Sequence, residues 1–236
     1  MNDHALHHAQ ILILKTLRRN KTMRYNNLMR PSGLESDIFK FHIHKLVKIG
    51  YIQKLPLRGY ELTVRGKEFA NNLDEAMRVP QRQPKLSMII VASKVNDQGD
   101  RLFLCQQRLR EPYWGYWGFI SGAVQWGVSI EDAALHEFTK QTHMTASFTV
   151  RSFCRQRDYD SSEAGLLEDK LFAVVLAENC RGEIDNSWGG GMNKWMTLAK
   201  LARQDKRFAS TPYVIELLAK SKAYISVDAR YDKSAY

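Results

Sequence analysis

The chain has 236 residues, 44% hydrophobic and 25% charged, with 14 Gly and 6 Pro. This composition excludes a disordered, collagen-like or low-complexity chain, and no apolar run reaches the ~18–20 residues of a bilayer-spanning helix. The formal net charge is +10 at pH 7. Residues 1–84 hold 15 Lys and Arg against 7 Asp and Glu, a surplus of 8, whereas residues 85–236 hold 20 against 18. A basic module beside a near-neutral one is the electrostatic footprint of a nucleic-acid binder, or of a surface kept soluble by charge. The three cysteines, Cys105, Cys154 and Cys180, form no CxxC pair. Neither a disulfide framework nor a zinc knuckle is indicated, and the polar N-terminus carries no secretory pattern, so a cytoplasmic protein is expected.

In chain order, His8–Arg19 places apolar residues at helical spacing and predicts a first helix. Tyr25–Met29 predicts a short second helix, and Pro31-Ser32-Gly33 a turn. Ser36–Ile49 predicts a third helix, with Ser36 as N-cap and Gly50 as its stop. Tyr51–Leu55 and Tyr60–Thr63 predict strands around the turn Pro56-Leu57-Arg58-Gly59. Val64–Leu73 closes the module as a helix. At 100° per residue, Phe39, Ile43, Leu46 and Val47 share one arc of the third helix and are expected to pack inward. Ser36, Lys40, Phe41, His44, Lys45 and Lys48 fall on the other side.

This order, with the stretch Phe39–Thr63 (FKFHIHKLVKIGYIQKLPLRGYELT), resembles a winged helix-turn-helix over Leu6–Leu73. The resemblance implies double-stranded DNA as a partner, with the outer side of the third helix in the major groove. Lys40, Lys45 and Lys48 would then neutralise phosphates, and Ser36 and His44 would meet base edges. Phe41 would touch a thymine methyl or join a dimer contact, and Arg58 at the hairpin tip would reach the backbone or the minor groove. A module that binds protein instead of DNA is the alternative.

The proline-bearing stretch Val79–Lys85 reads as a linker, so the expected division is 1–78, a linker 79–85, a second domain 86–222 and a C-terminal tail 223–236. Within the second domain, Leu86–Ala92 and Leu102–Arg108 predict strands joined through the turn Asn96–Gly99. The glycine-bearing stretch Trp117–Gly127 precedes a predicted helix, Ile130–Thr142. Phe148–Arg157 and Lys170–Ala177 predict further strands, and Pro212–Lys220 a last helix. Tyr113, Trp114, Tyr116, Trp117 and Trp126 crowd the approach to the middle helix, where they either stack on a base or sugar or fill the interior. Gly189-Gly190-Gly191 is expected to be a flexible loop.

This strand, glycine loop, helix, strand succession resembles the Nudix domain over about residues 85–220, which implies an α+β chain. The architecture would be a winged helix-turn-helix followed by an α/β/α sandwich on a mixed sheet. The family's box begins on Gly122, preceded by Ile120 and Ser121 where Pro-Gly is usual. Its first Glu falls on Val128, its Arg on His136 and its next Glu on Glu137, which matches. Phe138 keeps the apolar position, but the paired glutamates fall on Lys140 and Gln141, the late Gly on His143 and the last apolar position on Met144. Glu137, Lys140 and Gln141 stand at i, i+3 and i+4 and so share a face. In active relatives that face gathers carboxylates on Mg²⁺, which needs hard oxygen ligands.

With Lys140 and Gln141 in place of two acids, the expectation is a domain that binds a nucleotide, dinucleotide or phosphosugar without hydrolysing it. The candidate ligand-binding residues are Glu137, Lys140, Gln141, Gly122 and Arg108; no catalytic residue and no cofactor is expected. Together the two resemblances imply a dimeric, ligand-responsive transcription regulator, as in Nudix-related regulators of NAD and sugar metabolism, although there the winged helix follows the Nudix domain. The alternative is a divergent hydrolase of nucleoside diphosphate derivatives. It would need Mg²⁺ and acids recruited from elsewhere, of which Glu131, Asp132, Glu163, Glu168 and Asp169 are candidates. A two-His metal site at His136 and His143 is a further alternative.

Overall fold

His7 opens the first helix in the computed structural model, which describes residues 6–73, 82–162 and 165–236. Its Nδ1 accepts from the Ala9 N–H at 3.2 Å, and Gln10 Oε1 accepts from the His7 N–H at 2.9 Å. This reciprocal cap satisfies two donors that a helix start leaves orphaned and begins α1 (His8–Arg19). Helix α2 (Tyr25–Met29) runs into one tight turn, Arg30–Ser32, and Gly33 reverses the chain at φ 65. Helix α3 (Ser36–Lys48) follows, then β1 (Ile52–Leu55), β2 (Gly59–Leu62) and α4 (Val64–Asn71). Glu35, not Ser36, holds the cap position of α3, and α4 stops two residues short of Leu73.

The core of this unit gathers Ile13, Leu14 and Leu17 from α1, Phe39, Ile43 and Leu46 from α3, and Ile52 and Tyr60 from the hairpin. Val47, expected to pack inward, is 39% exposed. It lies at the edge of the arc, and His42 takes the inward place instead, buried and stacked on His7 with ring centroids 4.3 Å apart. Burial, then the neighbouring His7 and Lys45, push the His42 pKa down. The hairpin is fastened near its turn: Met23 and Tyr60 exchange backbone hydrogen bonds of 3.0 and 2.8 Å. Gly59 is required there, because it sits at φ +99 and a Cβ would lie 2.1 Å from the Met23 carbonyl oxygen.

The chain divides into two compact units, Met1–Arg82 and Gln83–Tyr236. Residues 79–81 of the expected linker, and the end of its preceding domain at 78, lie outside the described residues. Lys85, expected in the linker, is the first residue of a strand. The second unit runs β3 (Lys85–Val95), β4 (Arg101–Arg108), β5 (Trp117–Ala123), α5 (Ile130–Thr142), β6 (Thr145–Asp160) and β7 (Leu166–Arg181). It continues with β8 (Ser187–Trp188), β9 (Gly191–Met196), α6 (Leu198–Ala202), α7 (Thr211–Ala219) and β10 (Tyr224–Tyr231). The strand order is β10-β6-β7-β3-β5-β4-β9-β8. Strand pairs β10–β6 and β3–β7 are parallel and the rest antiparallel, so the sheet is mixed.

Strand β3 shows why the layers form. Met88 and Ile90 pack with Ala133, Ala134 and Phe138 of α5, whereas Ile89 and Val91 pack with Leu201 of α6 and Val214 and Leu217 of α7. Successive side chains point to opposite faces, so a strand covered on both sides reads as an unbroken apolar run. The result is the expected α/β/α sandwich. Residues 223–236, expected as a tail beyond the domain, contain β10 instead. Its alternation buries Val227, Ala229 and Tyr231, and it pairs with β6 over Phe153–Asp160. No helix among the described residues is long and apolar enough to cross a membrane.

Candidate functional site

The box helix α5 starts on Ser129, whose Oγ accepts from the Asp132 N–H at 3.1 Å. It packs on β5 where Gly122 leaves room, since a Cβ there would lie 2.7 Å from Glu137 Cγ. The spacing brings Glu137, Lys140 and Gln141 together as expected, in unequal roles. Gln141 is wholly buried. Its amide nitrogen donates to Glu137 Oε2 at 2.8 Å and to the Ser121 carbonyl at 3.1 Å, and its oxygen accepts from Gln106 Nε2 at 3.1 Å. Gln106 also donates to Asn193 Oδ1 at 2.9 Å. Both ends of the Gln141 amide are thus spent inside the protein. This residue was expected to face a ligand; the packing makes it the brace of Glu137.

Glu137 itself keeps 13% of its side chain exposed. Lys140 Nζ lies 3.3 Å from its Oε1, and His136 Nδ1 lies 3.5 Å from the same oxygen. The carboxylate that would hold a divalent cation is therefore faced by an ammonium, an amide N–H and an imidazole. The other acids do not converge on it. Asp132 accepts from Ser129 Oγ at 2.6 Å, Asp169 takes a two-pronged pair from Arg155 at 3.1 and 2.8 Å, and Glu163 lies outside the described residues. His143 lies 3.6 Å from Asp185, whereas His136 lies beside Glu137. Among the described residues no three His, Cys, Asp or Glu side chains are grouped as metal ligands. One carboxylate already paired with an ammonium is a poor match for Mg²⁺, which takes hard oxygen donors and is repelled by a cation at close range. The residues present do not fit a metal centre of the family type.

Behind Gly122 lies a cavity of about 230 Å³. Ile89, Phe119, Phe172 and Phe208 give it apolar walls, and Lys85, Arg108, Arg110 and Lys170 bring four cations against the acids Asp158 and Glu168. Glu168 is held by Lys85 at 2.9 and 3.1 Å, by the Tyr236 hydroxyl at 2.7 Å and by Lys170 at 3.5 Å. Burial works against its charge, but these partners keep its pKa below the ordinary glutamate value. Asp158 accepts from the Tyr113 hydroxyl at 2.8 Å; burial outweighs this bond and raises its pKa. Burial likewise lowers the pKa of Lys170, with Glu168 and Asp158 opposing the shift.

Arg108 lines the cavity as a charge, but its donors are largely committed. Its Nε reaches the carbonyls of Arg110, at 3.0 Å, and Pro112, and a terminal nitrogen reaches that of Glu111 at 3.0 Å. Gly122 borders the same cavity, whereas Glu137, Lys140 and Gln141 lie on the other side of β5. The aromatic question divides. Tyr113, Tyr116 and Trp117 fill the interior, Tyr113 at 5.7 Å from Tyr116 and 5.6 Å from Phe208, whereas Trp114 and Trp126 stand exposed. Gly190 and Gly191, expected in a flexible loop, are buried where Trp188 and Gln106 leave no space for a Cβ.

In the first unit, Ser36, Lys40, Phe41, His44, Lys45, Lys48 and Arg58 are all exposed. Ser36, Lys40 and His44 border a groove between α3 and the hairpin, whose far side adds Lys54, with Arg24 beside it. Phe41 is 63% exposed.

Residues 86–217, more than half of the chain, match the profile of a family described as NUDIX domain. The chain belongs to the NUDIX family. No curated protein matches it. Among solved structures, the NUDIX domain of Shewanella oneidensis NrtR, complexed with ADP ribose, is similar at 18% identity and a TM-score of 0.50, covering 67% of this chain and 98% of that one. The MutT protein of Bacillus halodurans is similar at 14% identity and a TM-score of 0.50, covering 64% and 93%. Both likenesses concern the NUDIX fold.

Proposed function

We propose that this NUDIX-family chain is a cytoplasmic, dimeric DNA-binding regulator whose NUDIX domain receives a phosphorylated nucleotide-type ligand without hydrolysing it. The observation that carries the reading is the pairing of Glu137 with the Lys140 ammonium and the Gln141 amide; a separate, cation-lined cavity lies across β5 from them. A pocket with apolar walls and a few convergent charges is built for holding a small molecule. The ADP ribose bound to the NUDIX domain of Shewanella oneidensis NrtR supports a ligand of that class. The exposed face of α3, with three lysines, Ser36 and His44, supports duplex DNA as the partner. Two such heads in a dimer read half-sites about one helical turn apart. Ligand acts by binding one DNA-affinity state better than the other.

The test is fluorescence anisotropy of a duplex that the protein has selected from a random pool, with and without saturating ADP ribose. The expected result is a change in DNA affinity of about 5-fold or more, the usual range of coupling between sites. Affinity for the duplex that is the same with and without ADP ribose overturns the regulatory reading.

A further inference from the structure

The hairpin of the first unit holds an exposed leucine in a strained turn. Strands β1 and β2 close on the pair Leu55 and Gly59, which leaves Pro56, Leu57 and Arg58 to reverse the chain. The Arg58 N–H donates to the Pro56 carbonyl at 2.8 Å, a three-residue turn with Leu57 at its centre and at φ 61. With a positive φ this is the strained form of such a turn, in the left-handed region that a residue with a Cβ enters only at a cost. The strain gains no burial, since Leu57 is 96% exposed. Outliers of this kind gather where function dictates the placement of a side chain.

The tip is braced. Pro56 has a fixed φ, Gln53 Nε2 donates to Glu61 Oε1 across the strands at 2.6 Å, and Met23 holds Tyr60 through two backbone bonds. The surroundings are cationic. Leu57 borders the same groove as Lys40 and His44 of α3, together with Lys54 and Arg24, and exposed Arg58 follows it in the chain. An apolar knob among cations matches a partner that is anionic outside and apolar within. Duplex DNA is built that way, with phosphates outside a stack of bases, and leucine is among the side chains that minor-groove binders insert between base pairs.

We propose that Leu57 is a wedge that enters the minor groove beside the bases faced by α3, partly unstacks one base step and bends the duplex. The inference rests on the reading that the α3 face binds DNA, and it adds a bend and a second source of sequence preference. A wedge reads deformability instead of a hydrogen-bond pattern, so it favours the easily kinked pyrimidine–purine steps. Arg58 neutralises a phosphate that flanks the opened step.

The test compares the full chain with Leu57→Gly and Leu57→Met on a duplex that the unmodified protein has selected from a random pool. Anisotropy gives the affinity, and energy transfer between dyes on the two duplex ends gives the bend. The unmodified chain is expected to bend the duplex by about 20–90°. Leu57→Gly removes the side chain and suits the positive φ, so its melting temperature is expected to equal or exceed that of the parent. Its duplex affinity is expected to fall about 10-fold and its bend to vanish, while its salt slope holds because no charge is lost. Leu57→Met keeps an apolar wedge and is expected to retain the bend. Binding without a bend in the unmodified chain, or an unchanged bend in Leu57→Gly, overturns the wedge and leaves the DNA reading in place. Failure of the unmodified chain to bind any duplex of the pool overturns both.

Discussion

Gln141→Glu is expected to destabilise the NUDIX unit by about 3–5 kcal/mol at neutral pH, the cost of an uncompensated buried charge. The side chain is almost isosteric, so packing is unchanged. Gln141 is fully buried, and its nitrogen donates to Glu137 Oε2 and to the Ser121 carbonyl. A carboxylate there turns both contacts into oxygen facing oxygen, one of them charge against charge. Desolvation and Glu137 both disfavour the ionised form, so the new carboxyl is pushed above its unfolded-state pKa. The sign follows from linkage: the penalty is full above the folded pKa and fades as the pH falls to the unfolded carboxyl range, where both states carry the proton. Urea unfolding at neutral and mildly acidic pH measures it. A variant as stable as the parent at neutral pH contradicts the bracing role of Gln141.

The second large effect concerns α3. Replacing Lys40, Lys45 and Lys48 together with alanine is expected to lower duplex affinity by about 100-fold or more. It should also reduce the slope of log affinity against log salt by about 3, one unit for each phosphate that is no longer neutralised. All three side chains are exposed, so the fold is expected to survive and the melting temperature to hold. His44→Ala and Ser36→Ala are expected to flatten sequence preference and leave the salt slope unchanged, since base contacts specify and phosphate contacts position. Anisotropy titrations at several salt concentrations separate the two. Duplex affinity and salt slope unchanged in the triple variant contradict the assignment of this face.

Much of the fold is legible in the residues because local patterns and burial agree. Strand β3 reads as an apolar run and is covered on both faces, and α5 reads by its 3.6-residue period and its Ser129 cap. The expected tail is less legible. Its alternation, Ile225, Val227, Ala229, Tyr231, is a strand signal, but only the partner strand β6, some seventy residues earlier in the chain, makes it part of the sheet. Val47 shows the same limit at the edge of a helical arc, where His42 wins the inward place by stacking on His7.

At the site, the substitution of Lys140 and Gln141 for acids is visible in the box, and their shared face follows from spacing. The division of labour between them does not, because Gln106 and Asn193, which draw Gln141 inward, come from β4 and β9. The cavity is harder still. Lys85 reads as linker, Lys170 as the edge of an apolar strand and Glu168 as one of several scattered acids, while Asp158 falls just past a predicted strand; their convergence is a product of the pairing of β3, β6 and β7. Trp188 carries no local signal beyond the glycines after it, and those read as flexibility where the structure uses them as space.

On the proposed reading, Glu137, already faced by Lys140, holds no catalytic metal and the domain keeps its ligand whole. Phosphorus NMR of ADP ribose incubated with the full chain and Mg²⁺ tests this directly. The expected result is resonances that shift or broaden on binding while the diphosphate stays intact. The appearance of AMP and ribose 5-phosphate, suppressed by Glu137→Gln, would contradict it.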